Sequence, residues 1–172
     1  MSEQIEKLIP KLEIWKTVKL GTCLKTAYDL RKVIRDCGMK LGNYANDLLG
    51  KPAFTVAAVE TEVDLVKVTV AKLGFKEGAR CDQIYARAKE LGLKLCPPEV
   101  GPQLRLQYRD QSDGERILIG MKPIRDSFGD LSVFGVWRGD GDLWLCSFCD
   151  DPIRVWSADC QRVFVRPRKE QE

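Results

Sequence analysis

The sequence predicts an α+β fold, with a helix-rich N-terminal half packed on a C-terminal antiparallel β-meander. Three observations predict it. Apolar residues recur at helical spacing in 26–38 and again in 82–91. From Gln103 onward the apolar period drops to two. Asp-Gly and Gly-Asp-Gly turn signals then separate the later runs. Helices and strands segregated along a chain mark α+β, whereas a parallel α/β sheet alternates them. No internal repeat or low-complexity linker interrupts the chain. Residues 1–172 are therefore expected to form a single domain, with 1–72 and 73–172 as possible halves.

Taken in order, residues 1–10 read as a loose or partly helical leader ending at Pro10. The run EIWKTVKLG reads as a strand. Thr26 and Asp29 have the spacing of a capping box, so a helix starts there. Ala27, Leu30, Val33, Ile34 and Cys37 form its apolar stripe, which makes Cys37 a small core residue, and Gly38 stops it. Asn43 is placed to cap a short helix, YANDLL, ending at Gly50 before Pro52. The segment AFTVAAV is either a strand or an irregular apolar connection. Val66, Val68 and Val70 alternate with Lys67, Thr69 and Ala71 as a strand does.

The stretch Leu73–Tyr108 carries the most local information. Ile84, Tyr85, Ala88 and Leu91 share a helix face, Asp82 sits in the first turn and Gly92 follows the last apolar position. Pro97 and Pro98 forbid further helix. Leu104, Leu106 and Tyr108 then alternate with Gln103, Arg105, Gln107 and Arg109, which predicts a half-buried strand with Arg105 on its solvated face. Leu91, Leu104 and Trp144 are expected to meet in one core. ERILIGMKPI, LSVFGVWR, DLWLCSF and RVFVRP complete the predicted meander, with hairpin turns at Ser112-Asp113-Gly114 and Gly139-Asp140-Gly141.

Composition narrows the chemistry. Hydrophobic residues make up 44% and charged residues 31%, the balance of a globular domain. Net charge is +3, too even to imply nucleic acid by itself. No apolar run approaches a membrane span, and the N-terminus lacks a signal-peptide core, so a cytoplasmic setting without membrane contact is expected. Seven cysteines without a secretion signal fit reduced thiols. The chain has no histidine, which removes Ser-His-Asp and Cys-His catalysis and every histidine metal site.

Four groups are candidates for chemistry. Cys146-Ser-Phe-Cys149 with Cys160 is a zinc alternative, but i and i+3 side chains of a strand point to opposite faces, and no histidine completes the set. Asp126, Asp130, Asp140, Asp142, Asp150 and Asp151 are placed to pair as acid and base or to hold a hard cation. Most lie beside glycines, where Asp serves turns. Trp137, Trp144 and Trp156, interleaved with Arg138, Arg154, Arg162, Arg166 and Arg168, suit base stacking and phosphate contact, or simply sheet packing. The corner Pro97-Pro98-Glu99-Val100-Gly101-Pro102 holds Glu99 and Arg105 on rigid supports, as recognition sites do, or serves as a plain helix–sheet joint.

The runs EIWKTVKLGT, IYARAKELGLKLCPPEVGPQLRLQY and GDLSVFGVWR resemble a family of short bacterial proteins that carries no assigned activity. The resemblance spans Trp15 to Arg166, implies a bacterial or mobile-element origin, and brings no catalytic residue. The residues themselves lead to a small non-enzymatic binding protein without cofactor, with a protein partner favoured. Binding contacts are expected at Glu99, Arg105, Trp137, Arg138 and Trp156. Alternatives are a weak nucleic-acid-binding module built on the Trp/Arg sheet, and a carboxylate enzyme using a divalent cation.

Overall fold

The computed structural model describes residues 12–168. The leader read in residues 1–10 lies outside the described residues. A mixed sheet organises the chain. Its order is β1 (Lys16–Leu20), β3 (Thr61–Thr69), β10 (Gln161–Val165), β5 (Arg116–Ile119), β7 (Leu131–Gly139), β8 (Asp142–Cys149) and β2 (Lys40–Leu41). β6 (Ile124–Arg125) adds to β7, and β4 (Ala79–Arg80) pairs with β9 (Val155–Trp156) in a separate two-stranded ribbon. The helices are α1 (Ala27–Asp36), α2 (Asn43–Leu49), α3 (Cys81–Glu90) and α4 (Val100–Gln107).

The α+β class stands, but its expected arrangement does not. Among the described residues the helices are short and fall two in each half, so the described N-terminal half is not helix-rich. The sheet is not an antiparallel meander: β10 runs parallel to β5, and β2 parallel to β8. The N-terminal half supplies β1, β2 and β3 to the same sheet, so it is woven into the C-terminal strands instead of being stacked on them. β10 forces this, because the chain's last strand inserts between β3 and β5.

Local signals set most individual elements. Thr26 caps α1: the Asp29 N–H donates to Thr26 Oγ1 at 3.1 Å, and the Thr26 N–H to Asp29 Oδ2 at 3.2 Å. Cys37 is exposed at the end of that helix, not in the core. α2 starts after Gly42, not Asn43, and has no side-chain cap. The AFTVAAV segment is irregular. Asp140 and Gly141 both have positive φ (54° and 80°), the pair of conformations that a two-residue hairpin turn requires between β7 and β8.

The run after the double proline is helix α4, not a strand. Every residue from Val100 to Leu106 is buried, including Gln103 and Arg105. The polar residues were thus not marking a solvent face. A helix buried all round shows no amphipathic period to read. Pro102 falls in the first turn, where a missing N–H breaks no helical bond. Gly101 lies against Phe134: a Cβ there would come within 2.6 Å of the ring. α4 therefore sits directly on β7.

Two cores result, one on each face of the β3–β10 region. Leu30, Ile34, Leu48, Leu104, Val136, Leu145 and Val163 belong to the first, under α1, α2 and α4. Val66, Val68, Ile84, Ala88, Leu93 and Phe164 form the second, under α3. Leu91, Leu104 and Trp144 do not share a core. Leu104 is in the first, Leu91 flanks the second, and Trp144 is half-buried on the far face of β8, stacked on Trp137 at 6.2 Å. Among the described residues no helix is long and apolar enough to cross a membrane.

This placement predicts that Leu104→Ala costs about 2–5 kcal/mol through lost transfer energy and a cavity. Arg105→Ala, far from being neutral, should cost about 2–4 kcal/mol by orphaning buried acceptors and opening α4. Urea melts of both variants check this, and an Arg105→Ala variant within about 0.5 kcal/mol of the parent would overturn it.

Candidate binding site

Asp150, just past β8, and Arg162, on β10, form a buried ion pair. Arg162 Nη1 donates to Oδ2 at 2.8 Å and Nη2 to Oδ1 at 2.9 Å. The side chains are 0% and 1% exposed. The Tyr85 hydroxyl donates to Oδ2 at 2.9 Å, and Trp156 Nε1 to Oδ1 at 2.9 Å. Each carboxylate oxygen thus accepts two bonds, which a buried carboxylate needs to offset desolvation. The guanidinium carbon lies 5.6 Å from the Tyr85 ring centre and 5.0 Å from that of Trp156. Burial pushes the Asp150 carboxyl up, but the bonds and charge of Arg162 more than reverse this and hold it below the ordinary carboxylate value. Burial and the Asp150 charge push the Tyr85 hydroxyl and the Cys81 thiol up.

Tyr85 carries this rigidity to the surface. Its hydroxyl oxygen also lies 3.1 Å from Met121 O, and its ring meets Phe164 edge-on at 5.8 Å. The ring walls a groove of about 390 Å³ between α3 and residues 93–95, floored by Ala88, Leu93 and Phe164. Lys94 is pinned through its backbone to Val165 at 2.8 Å in both directions, which leaves the Leu95 side chain projecting at 45% exposure. Lys89 and Lys94 stand beside this apolar lining. Among the described residues neither lysine has a carboxylate partner.

The residues singled out from the sequence are scattered. Glu99 is buried and accepts the N–H groups of Gly21 and Ala57, each at 2.8 Å, so it ties two loops to α4. Arg105 is fully buried and donates to Gln111 Oε1, Trp144 O and Tyr108 O, all neutral acceptors. Burial without a carboxylate partner lowers it to about 10. Arg138 donates to Gln111 O at 2.7 Å. Trp137 is on the opposite face, stacked on Trp144, and Arg116 lies over its ring at 5.6 Å. Of the five, Trp156 alone touches the Asp150 pair.

The acidic set is likewise dispersed. Asp126 accepts from the N–H groups of Phe128 and Asp130 and from the Ser132 hydroxyl, the work of a turn residue. Asp151 accepts from the Ile153 N–H. Cys146 and Cys149 occupy odd-spaced positions of β8 and so face opposite sides. No group of three or more metal-ligating side chains is assembled among the described residues. Sequence reasoning missed the Tyr85 hydroxyl and Arg116. The signal for Tyr85 was a tyrosine on a core-facing stripe, whose O–H needs a partner once buried.

Comparison with protein-family models, with curated proteins and with solved structures found no match for this chain.

Two predictions follow from the geometry. The Asp150 carboxyl titrates below its unfolded value, so its stabilisation is complete above about pH 4 and drains as pH falls through the folded value. Asp150→Asn should cost about 3–5 kcal/mol at pH 7 by stranding Arg162, and the variant should show a flatter loss of stability on acidification. Urea melts from pH 7 to 2 read both effects, and a parent-like acid profile in the variant would contradict them. Second, Cys23 and Cys37 are exposed whereas Cys81 and Cys96 are buried with raised thiol values. At pH 8 a thiol-reactive disulfide reagent should modify the first two in the folded protein and the second two only on unfolding. Mass mapping of labelled peptides distinguishes them.

Proposed function

We propose that this is a non-enzymatic binding protein whose partner is another protein, docked in the α3 groove through an apolar, acidic segment. One observation carries the reading: an apolar groove, walled by a tyrosine that a buried ion pair immobilises, with two lysines beside it that have no carboxylate partner among the described residues. A wall already fixed loses little entropy on binding. Apolar side chains of a partner would fill the floor, and its carboxylates would meet Lys89 and Lys94. The bacterial origin suggested by the resemblance and a cytoplasmic setting belong to the same proposal. All seven cysteines are free thiols, which suits a reducing compartment.

A single-strand nucleic-acid platform has less support. Asp150 neutralises Arg162, Arg138 is directed to Gln111, and Glu115 and Asp159 line the same cavity as Arg116. No run of surplus cations follows the rings, as displacement of counterions would require. The carboxylate-enzyme reading finds its acids spent on turns and on Arg162.

Panning a random peptide library against the protein, with counter-selection on Leu95→Asp/Lys94→Glu, tests the reading. Recovered peptides should combine leucine-like side chains with Glu or Asp and should bind the variant at least about tenfold more weakly. Retention of no peptide in preference to the variant would sink the proposal. So would sub-micromolar binding of single-stranded DNA at physiological salt.

A further inference from the structure

We propose a second site, independent of the groove: the cavity between β5 and the turn from β9 to β10 binds a small zwitterion, its carboxylate on Arg116 and its ammonium on Asp159, the two charges held apart as in a dipeptide. The cavity has a volume of about 370 Å³. Leu118 floors it, and Trp156 walls it. That wall is fixed: the indole N–H is held by Asp150, and the guanidinium carbons of Arg154 and Arg162 lie 4.4 and 5.0 Å from its ring centre.

The ligand class follows from which polar groups are already committed. Glu115 accepts from the Tyr108 hydroxyl at 2.7 Å and from Lys67 Nζ at 3.2 Å, so it is satisfied within the chain. Asp159 accepts from the Ser157 hydroxyl at Oδ1 and keeps Oδ2 for a ligand. Arg116 forms no ion pair among the described residues. It is steadied instead by the rings of Trp137 and Phe148, at 5.6 and 5.4 Å. One cation and one carboxylate oxygen therefore remain, with the Gln161 carboxamide beside them. A bare anion would meet the Asp159 charge, and a bare cation would meet Arg116. A ligand with both charges satisfies each.

Their placement separates the charges. Ile117 pairs with Gln161 in the parallel β5–β10 register, so Arg116 stands opposite Cys160. Arg116 lines the cavity with its guanidinium over the rings of Trp137 on β7 and Phe148 on β8, whereas Asp159 lies in the turn before β10. Opposite charges at opposite ends fit an amine and a carboxylate several bonds apart, not on one carbon.

Isothermal titration with glycylglycine, acetylglycine, glycinamide and glucose tests the proposal. Glycylglycine should bind. Acetylglycine lacks the ammonium and glycinamide the carboxylate, and each should bind at least about tenfold more weakly, the worth of one charge-assisted contact. Arg116→Gln and Asp159→Asn should each weaken glycylglycine by a similar factor. Both positions are exposed, and far-UV circular dichroism confirms that the variants keep the fold. Leu95→Asp, in the α3 groove, should leave glycylglycine binding unchanged, so failure here and failure of the groove reading are separable. Absence of glycylglycine binding at millimolar concentration overturns the proposal. Equal binding of glucose or of a singly charged compound does so too, as does unchanged affinity in both variants.

Discussion

The Asp150–Arg162 pair is the constraint on which the α3 side of the molecule depends. A carboxylate this deep is tolerated only when both its oxygens are hydrogen-bonded. The carboxylate meets that condition by recruiting Tyr85 from α3 and Trp156 from β9 as well as Arg162 from β10. Trp156 and Arg162 lie within twelve residues of Asp150, but Tyr85 comes from 65 residues away, so α3 must dock before the pair can be buried. Hydrophobic packing alone would let α3 slide on Val66, Val68 and Phe164, because apolar contacts have no direction. The four bonds to one carboxylate fix where it stops.

The opposite face solves a similar problem differently. α4 brings Glu99 and Arg105 into the interior one and a half turns apart, and neither is paired with the other. Glu99 receives backbone N–H groups of two irregular segments that have no ladder of their own, and Arg105 closes over carbonyls at the far end of the helix. Buried charge here substitutes for secondary structure: it satisfies loop backbone that would otherwise be stranded away from water. Gln107 does the same at the sheet edge. Its side-chain amide bonds both the N–H and the C=O of Lys19, so the exposed edge of β1 is capped by a side chain.

Both proposed sites lean on the first of these networks. Tyr85 faces the α3 groove, Trp156 faces the zwitterion cavity, and each donates to Asp150. Two recognition surfaces with walls fixed by one buried anion lose little mobility on binding.

What the sequence determined by itself was whatever short-range chemistry controls. The Thr26–Asp29 box started α1, the alternation of Val66, Val68 and Val70 made β3, and Asp140-Gly141 closed the β7–β8 hairpin. Those signals act over a few residues and need no tertiary partner. The absence of histidine likewise restricted the chemistry without reference to the fold. Tertiary structure decided the rest. The alternation around Gln103 and Arg105 predicts a strand with a wet face, but buried partners make both interior residues of helix α4. The insertion of β10 between β3 and β5 leaves no local trace, since pairing at a separation of about a hundred residues is chosen by the whole sheet. Tyr85 joined Asp150, Trp156 and Arg162 for the same reason: only the folded chain brings α3 to that carboxylate.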